Sequence, residues 1–192
     1  MNDKPIKLYC YVDETGQDTM GDFFLVAVVI ARENRDRLAD QLELIERASG
    51  KGRVKWTKVR ERVGLDYIKR VLGAPDFKGA LYFSSYHDTK AYMALTVIGT
   101  AKAIISAAGD RAETTVYVDG LPKSKLRWFG VELRRLSVRS SKVSGVRREE
   151  ADSLMCLADA VAGFVRLALS GRSPDAARLF EMGKRDGYLK EA

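Results

Sequence analysis

The stretch Ile6–Ala31, IKLYCYVDETGQDTMGDFFLVAVVIA, decides the fold. Its first seven residues, IKLYCYV, are mostly β-branched or aromatic and stop at Asp13, so they read as a strand. TGQDTMGD (Thr15–Asp22) is turn-forming, and FFLVAVVIA (Phe23–Ala31) is a second strand. That second run is apolar almost throughout, the pattern of a strand covered on both faces. The simplest connection between the two is a hairpin.

Further along, Leu38, Leu42 and Ile45 recur at helical spacing and predict a helix over 34–48. A second helix is predicted over 56–72, where Val59, Val63, Tyr67 and Val71 are four residues apart; Gly73 and Pro75 end it. FKGALYFS (Phe77–Ser84) reads as a third strand and 90–108 as a long apolar helix. TTVYV (Thr114–Val118) is a fourth strand, ending at Asp119, and Pro122 opens a helix to about 136. Residues 137–146 fit either a fifth strand or a mobile basic loop, and 148–170 a closing helix. From Arg172 the chain reads as loop and tail, with at most a short helix around 176–182. The expected architecture is one α/β domain over 1–171, a mixed sheet flanked by helices on both faces, with a C-terminal tail over 172–192.

Composition narrows the class. The 192 residues are 46% hydrophobic and 31% charged, which excludes wholesale disorder. Two cysteines, Cys10 and Cys156, do not make a disulfide-stapled module and fit a reducing cytoplasm. The N-terminus has no apolar core of a secretory signal. The longest apolar stretch, Ala91–Gly109, carries Lys102 and reads as a buried helix, with no membrane span expected.

The net charge of +7 is unevenly spread. Arg47–Arg70 holds +7 and Leu121–Glu150 holds +6, so the remainder is −6. Two basic belts are what a polyanion partner such as DNA or RNA would require. Charge alone fits a plain solvated surface equally well.

The acidic residues sit at telling places. Asp13 and Glu14 close the first strand and Asp119 the fourth, at the strand ends where open α/β sheets bind ligands. Asp159 interrupts the apolar run LMCLADAVAGFV, where a carboxylate is costly without a partner. Asp152 lies two helical turns before it, on the same face. Gathered together, Asp13, Asp119 and Asp159 would repel one another unless a cation or a proton intervened. Oxygen donors of this kind select Mg²⁺ or Mn²⁺. Such ions can activate water for phosphodiester cleavage. Each residue also has a plainer reading: turn former for Asp13 and Asp119, solvent-facing residue for Glu14, first-turn residue of a helix for Asp152, buried ion pair for Asp159.

These motifs, in this order, resemble the DUF3800 family. YVDETG is similar to its DESG-type opening, FFLVAVVI to the apolar strand after it, and VKWTKVR (Val54–Arg60) to its Lys-Trp segment. VYVDG (Val116–Gly120) resembles its second acidic strand and SLMCLADAVAG (Ser153–Gly163) its closing helix. The resemblance spans roughly residues 6–170. It implies an RNase H-like fold and a metal-dependent nuclease site, with Asp13, Glu14, Asp119 and Asp159 at the acidic positions and Lys55 at the segment lysine. There are departures: Thr15 replaces a Ser, and Met155 or Cys156 stands where Gln is usual. The Asp-Ser-Lys segment before the last helix is replaced by SKVSGVRREEADS, where Glu149, Glu150 and Asp152 are the candidates.

Other chemistries lack their residues. There is no phosphate-binding glycine loop, no HExxH and no CxxC. His87 is the only histidine, which excludes an ordinary zinc site and leaves one His for any Ser/His/Asp arrangement. Trp56, Trp128 and Phe129 lie in the basic belts and suit either base stacking or core packing. The expected function is a nuclease in which Asp13, Asp119 and Asp159 hold Mg²⁺ or Mn²⁺. Glu14 or Asp152 assists as ligand or base, and Lys55 and the belts hold the phosphate backbone. The alternatives are a non-catalytic nucleic-acid- or partner-binding module on the same fold, and a nucleotide phosphohydrolase, which would need a closed pocket.

Overall fold

The computed structural model describes residues 5–109, 112–147 and 151–192. Strands β1 (Ile6–Thr15) and β2 (Phe24–Ala31) form the expected antiparallel hairpin, with Val12 opposite Val28. The turn between them depends on Gly16. Its φ of 103° lies in the left-handed region, and a Cβ there would come within 2.3 Å of the Phe23 carbonyl oxygen. Every residue of β2 is buried, as its unbroken apolar run required.

Helices α1 (Arg35–Ser49) and α2 (Glu61–Leu72) follow, then β3 (Leu81–Tyr86), α3 (Tyr92–Ala108), β4 (Ala112–Asp119), α4 (Lys123–Arg135), β5 (Arg139–Val146) and α5 (Ser153–Leu169). The chain ends with α6 (Pro174–Arg185) and β6 (Leu189–Glu191). The six strands lie in the order β5-β4-β1-β2-β3-β6. The β1–β4, β4–β5 and β3–β6 pairs are parallel, and β2 is antiparallel to both its neighbours.

The sheet is sandwiched between two cores. On one face, Tyr11, Leu25, Ala27 and Val29 pack against α1, α2, α5 and α6. On the other, Leu8, Cys10, Val12, Val26 and Val28 pack against α3 and α4. Alternation along each strand divides the side chains between these layers. Among the described residues, no single helix is long and apolar enough to cross a membrane.

Three elements differ from the sequence expectation. The second helix begins at Glu61 and not at Trp56, because Trp56–Lys58 form a single 3₁₀ turn and Val59 and Arg60 are extended. The apolar spacing of Val59 continued the helical pattern, but Trp56 is held by tertiary contacts described below. The third strand begins at Leu81, after a 3₁₀ turn at Pro75–Phe77 and Gly79 at φ 74°. The stretch from Arg172, expected as loop and tail with at most a short helix around 176–182, forms α6, which covers that helix, and β6. Ser173 caps α6 by accepting from the Ala176 N–H, and β6 pairs with β3 through Leu81 and Leu189. A three-residue strand is too short to show any periodicity. Of the stretch 137–146, which fits either strand or loop, Arg139–Val146 forms the strand β5.

Candidate active site

Parallel pairing of β1 and β4 sets the site. Val12 lies opposite Val118, so the next residue of each strand, Asp13 and Asp119, emerges at neighbouring strand ends. Tyr11 and Tyr117, one pleat below them, stack at 5.1 Å between ring centres, so both strands present the same face here. That is the face covered by α5, from which Asp159 projects. The three carboxylates line one cavity of about 180 Å³, together with Arg53, Lys55 and Cys156.

The segment Arg53–Trp56 forms a strap beside this cavity. Lys55 Nζ donates to Asp119 Oδ2 at 3.1 Å, a half-exposed ion pair. The Trp56 backbone N–H donates to Asp159 Oδ2 at 2.7 Å. The Trp56 ring explains why the strap sits so close. It rests on two glycines: a Cβ on Gly163 of α5 would lie 2.1 Å from its Cδ1, and one on Gly64 of α2 would lie 2.9 Å from its Cζ3. Sequence reasoning missed the Trp56 N–H as a site contact. The signal available was the pair of glycines in otherwise well-formed helices, a position where close approach is the usual reason for glycine.

The carboxylates are out of their usual electrostatic balance. Burial pushes Asp13 well above the ordinary aspartate range, and the charges of Asp119, Asp159 and Glu14 push it further. Its Oδ1 accepts the Glu14 N–H at 2.8 Å, which offsets this in part. Burial also raises Asp159, against the pull of the Trp56 N–H and of Lys51 and Lys55. For Lys55, burial works against the charged form, but Asp119, Asp13 and Asp159 outweigh it and the ammonium is held above its ordinary range.

The remaining candidates fall elsewhere. Glu14 pairs with Val26 in the ladder, so strand alternation aims it at the α3 side of the sheet. Burial, then the nearby charge of Asp119, raises it to about 7. Its Oε1 accepts from Gln17 Nε2, while its Oε2 is buried and has no hydrogen-bond partner among the described residues. Asp152 does not line the cavity. It is the N-cap of α5, its Oδ1 accepting the Met155 N–H at 2.9 Å, and it pairs with Arg35 at 3.6 Å. The expectation that it shares a helical face with Asp159 fails for that reason: a capping residue has left the helix, with ψ of 176°. Glu149 and Glu150 lie outside the described residues. His87 does not line the cavity and contacts Phe23 and the Asp22 carbonyl. Phe129 is core, whereas Trp128 is exposed.

Among the described residues, no three His, Cys, Asp or Glu side chains are arranged as a ready metal-ligand set. One oxygen each of Asp119 and Asp159 is engaged by the strap. Beyond Trp56 opens a larger cleft of about 730 Å³, lined by Thr15, Arg60, Arg166 and Arg172 among others. Arg166 is fixed there by Thr15 Oγ1 at 3.0 Å and by both carboxylate oxygens of Asp18.

A mixed sheet in this strand order, with helices on both faces and acids at the ends of its two central parallel strands, is an RNase H-like fold. Solved structures bear this out. RNase HII from Archaeoglobus fulgidus, in its complex with PCNA, superposes with a TM-score of 0.52 at 14% identity, over 95% of this chain and 91% of that one. Ribonuclease H2 from Pyrococcus horikoshii OT3 gives a TM-score of 0.51 at 10% identity, over 94% and 97%. At such identities the likeness is one of fold. No protein-family model and no curated protein matches the sequence.

Proposed function

We propose that this chain is a metal-dependent nuclease of the DUF3800 type, hydrolysing phosphodiester bonds in DNA or RNA. The observation that carries it is the convergence of Asp13, Asp119 and Asp159, from three separate elements, on one cavity beside Lys55. The acid cavity is well below the size of a small-molecule pocket, roughly 300 Å³ and upward. It also adjoins an open, arginine-lined cleft. Both features favour a polymer over a free nucleotide.

The donor set suits Mg²⁺ or Mn²⁺. It is all carboxylate oxygen, and burial and mutual repulsion leave Asp13 short of positive charge. Asp13, Asp119 and Asp159 are the residues that would hold the ion. When bound, it supplies charge stabilisation for the phosphate and a lowered pKa for water. Asp119 would exchange its Lys55 contact for the ion, freeing the Lys55 ammonium for a phosphate oxygen. Trp56 holds Asp159 in place through its backbone N–H, and Asp152 fixes the start of the helix that carries it. Glu14, which points to the α3 side of the sheet and does not line the cavity, has no part in this chemistry. A cytoplasmic location fits the two free thiols.

The test is cleavage of labelled single- and double-stranded DNA and RNA with Mg²⁺, Mn²⁺ or EDTA. Wild type should cleave at least one substrate, and both EDTA and Asp119→Asn should lower the rate by about a hundredfold or more, an effect of several kcal/mol. Binding without cleavage under every metal condition would instead favour a nucleic-acid-binding module on the same fold.

A further inference from the structure

We propose that the uncovered sheet face of β4 and β5 is a platform for single-stranded nucleic acid that leads into the acid cavity. This deepens the nuclease reading and names its substrate class. The register places the residues. Partners in a ladder point to the same side, so Lys7, Glu113 and Arg139 form one row and Tyr9, Thr115 and Lys142 the next. Tyr11, Tyr117 and Ser144 form a third row, and the following step up β1 and β4 reaches Asp13 and Asp119. The platform therefore shares its face and its strands with the site, with the buried Tyr11 ring between them.

Among the described residues, no helix packs closely on this face of β4 and β5, and α1 reaches it through Arg35. α5 packs on β1, β2 and β3, and α4 packs on β5 from the other side. Tyr9, Thr115 and Tyr117 are half-buried, and Lys7, Arg139 and Lys142 are exposed. None of these three cations has an ion-pair partner among the described residues.

Above the tyrosines lies Arg35. Its guanidinium carbon is 5.3 Å from the centre of the Tyr9 ring and 5.7 Å from that of Tyr117. Asp152 holds it from the side at 3.6 Å, and about a third of its side chain stays exposed. A partly exposed guanidinium beside aromatic rings is a surface on which a base can stack. Lys7, Arg139 and Lys142 against the single acid Glu113 supply the charge complement for a phosphate backbone. Stacking needs an unpaired base, so the occupant is a single strand and not a duplex.

The experiment measures binding of a fluorescein-labelled 15-nucleotide oligothymidylate and of a 15-base-pair duplex by anisotropy. EDTA is present so that no cleavage intervenes. The chain carries Lys142→Glu, Lys7→Glu, both, or Arg35→Lys, and thermal melting confirms the fold of each. The double reversal should weaken single-strand binding about tenfold or more and flatten its salt dependence, since contacts to phosphate set that slope. Arg35→Lys keeps the charge but removes the plane. It should weaken single-strand binding about fivefold with the salt slope unchanged, and leave duplex binding alone. Lys184→Glu, on α6, should change nothing. Wild-type affinity in the double variant, or equal losses on strand and duplex, overturns the platform. Metal-dependent cleavage by wild type alongside unaffected variants would sink the platform and leave the nuclease. Weakened variants with no cleavage by wild type would do the reverse. No strand binding by wild type overturns the platform outright.

Discussion

Asp159 illustrates what a single residue discloses. A carboxylate amid Leu157, Ala158, Ala160 and Val161 is an anomaly on sequence alone, and the fold resolves it with a backbone donor and the edge of a cavity. Its contact with Trp56 was not legible, because it joins positions 103 residues apart through a main-chain N–H that carries no sequence signature. Glu14 gives a prediction at this scale. Its carboxyl releases its proton near pH 7 in the folded chain, against about 4.5 when unfolded. Between those values the folded state binds more protons. Its contribution to stability is therefore complete below about pH 4.5 and is lost as pH rises to about 7. Burial and the neighbouring acids make Asp13 act in the same direction. Metal-free protein should melt at a lower temperature at pH 8 than at pH 5, with a Glu14 share on the order of 3 kcal/mol. Glu14→Gln should remove much of that difference. Equal slopes of melting temperature against pH in wild type and variant would contradict the assignment.

At the scale of elements, strands were legible where both faces are covered and helices where one face is. β2 and α5 are buried along most of their length, so their composition announced them. The strap did not announce itself, because Val59 continued the apolar rhythm of α2 while Trp56 packs on Gly64 and Gly163. Its seat on Gly163 can be tested directly. Gly163→Ala places a methyl group within the Trp56 ring. The strap must lift, at a cost of about 1–3 kcal/mol for an overpacked contact. The outcome expected is a lower melting temperature, a red-shifted tryptophan emission and reduced cleavage. Gly64→Ala, whose Cβ would meet the ring edge at 2.9 Å, should do less. Emission unchanged in Gly163→Ala would mean that the ring is not seated there.

For the molecule as a whole, the sheet order was the least legible feature. Placing β1 between β2 and β4 cannot be read from any local pattern, since it pairs residues more than a hundred positions apart. The family resemblance implied an RNase H-like fold but carried no strand order. The last strand escaped both routes, and its contribution is measurable. Leu189 is 2% exposed and packs against Gly183 of α6 in the larger core. Leu189→Ala should cost about 2–5 kcal/mol, the range for emptying a buried leucine site. A chemical denaturation midpoint that does not move would show that β6 is only loosely attached.

The strap and the two acidic strand ends have one more consequence. The charged groups around the cavity come from β1, the Lys55 strap, β4 and α5, so they span Asp13 to Asp159 in the chain. No contiguous fragment shorter than that holds them all. Asp13 meets Asp119 only once the fourth strand has docked beside the first, a pairing of high contact order and hence a slow one. A half-made or proteolysed chain therefore carries scattered acids and no centre. The acid centre is a product of folding, assembled only once the chain through Asp159 has docked.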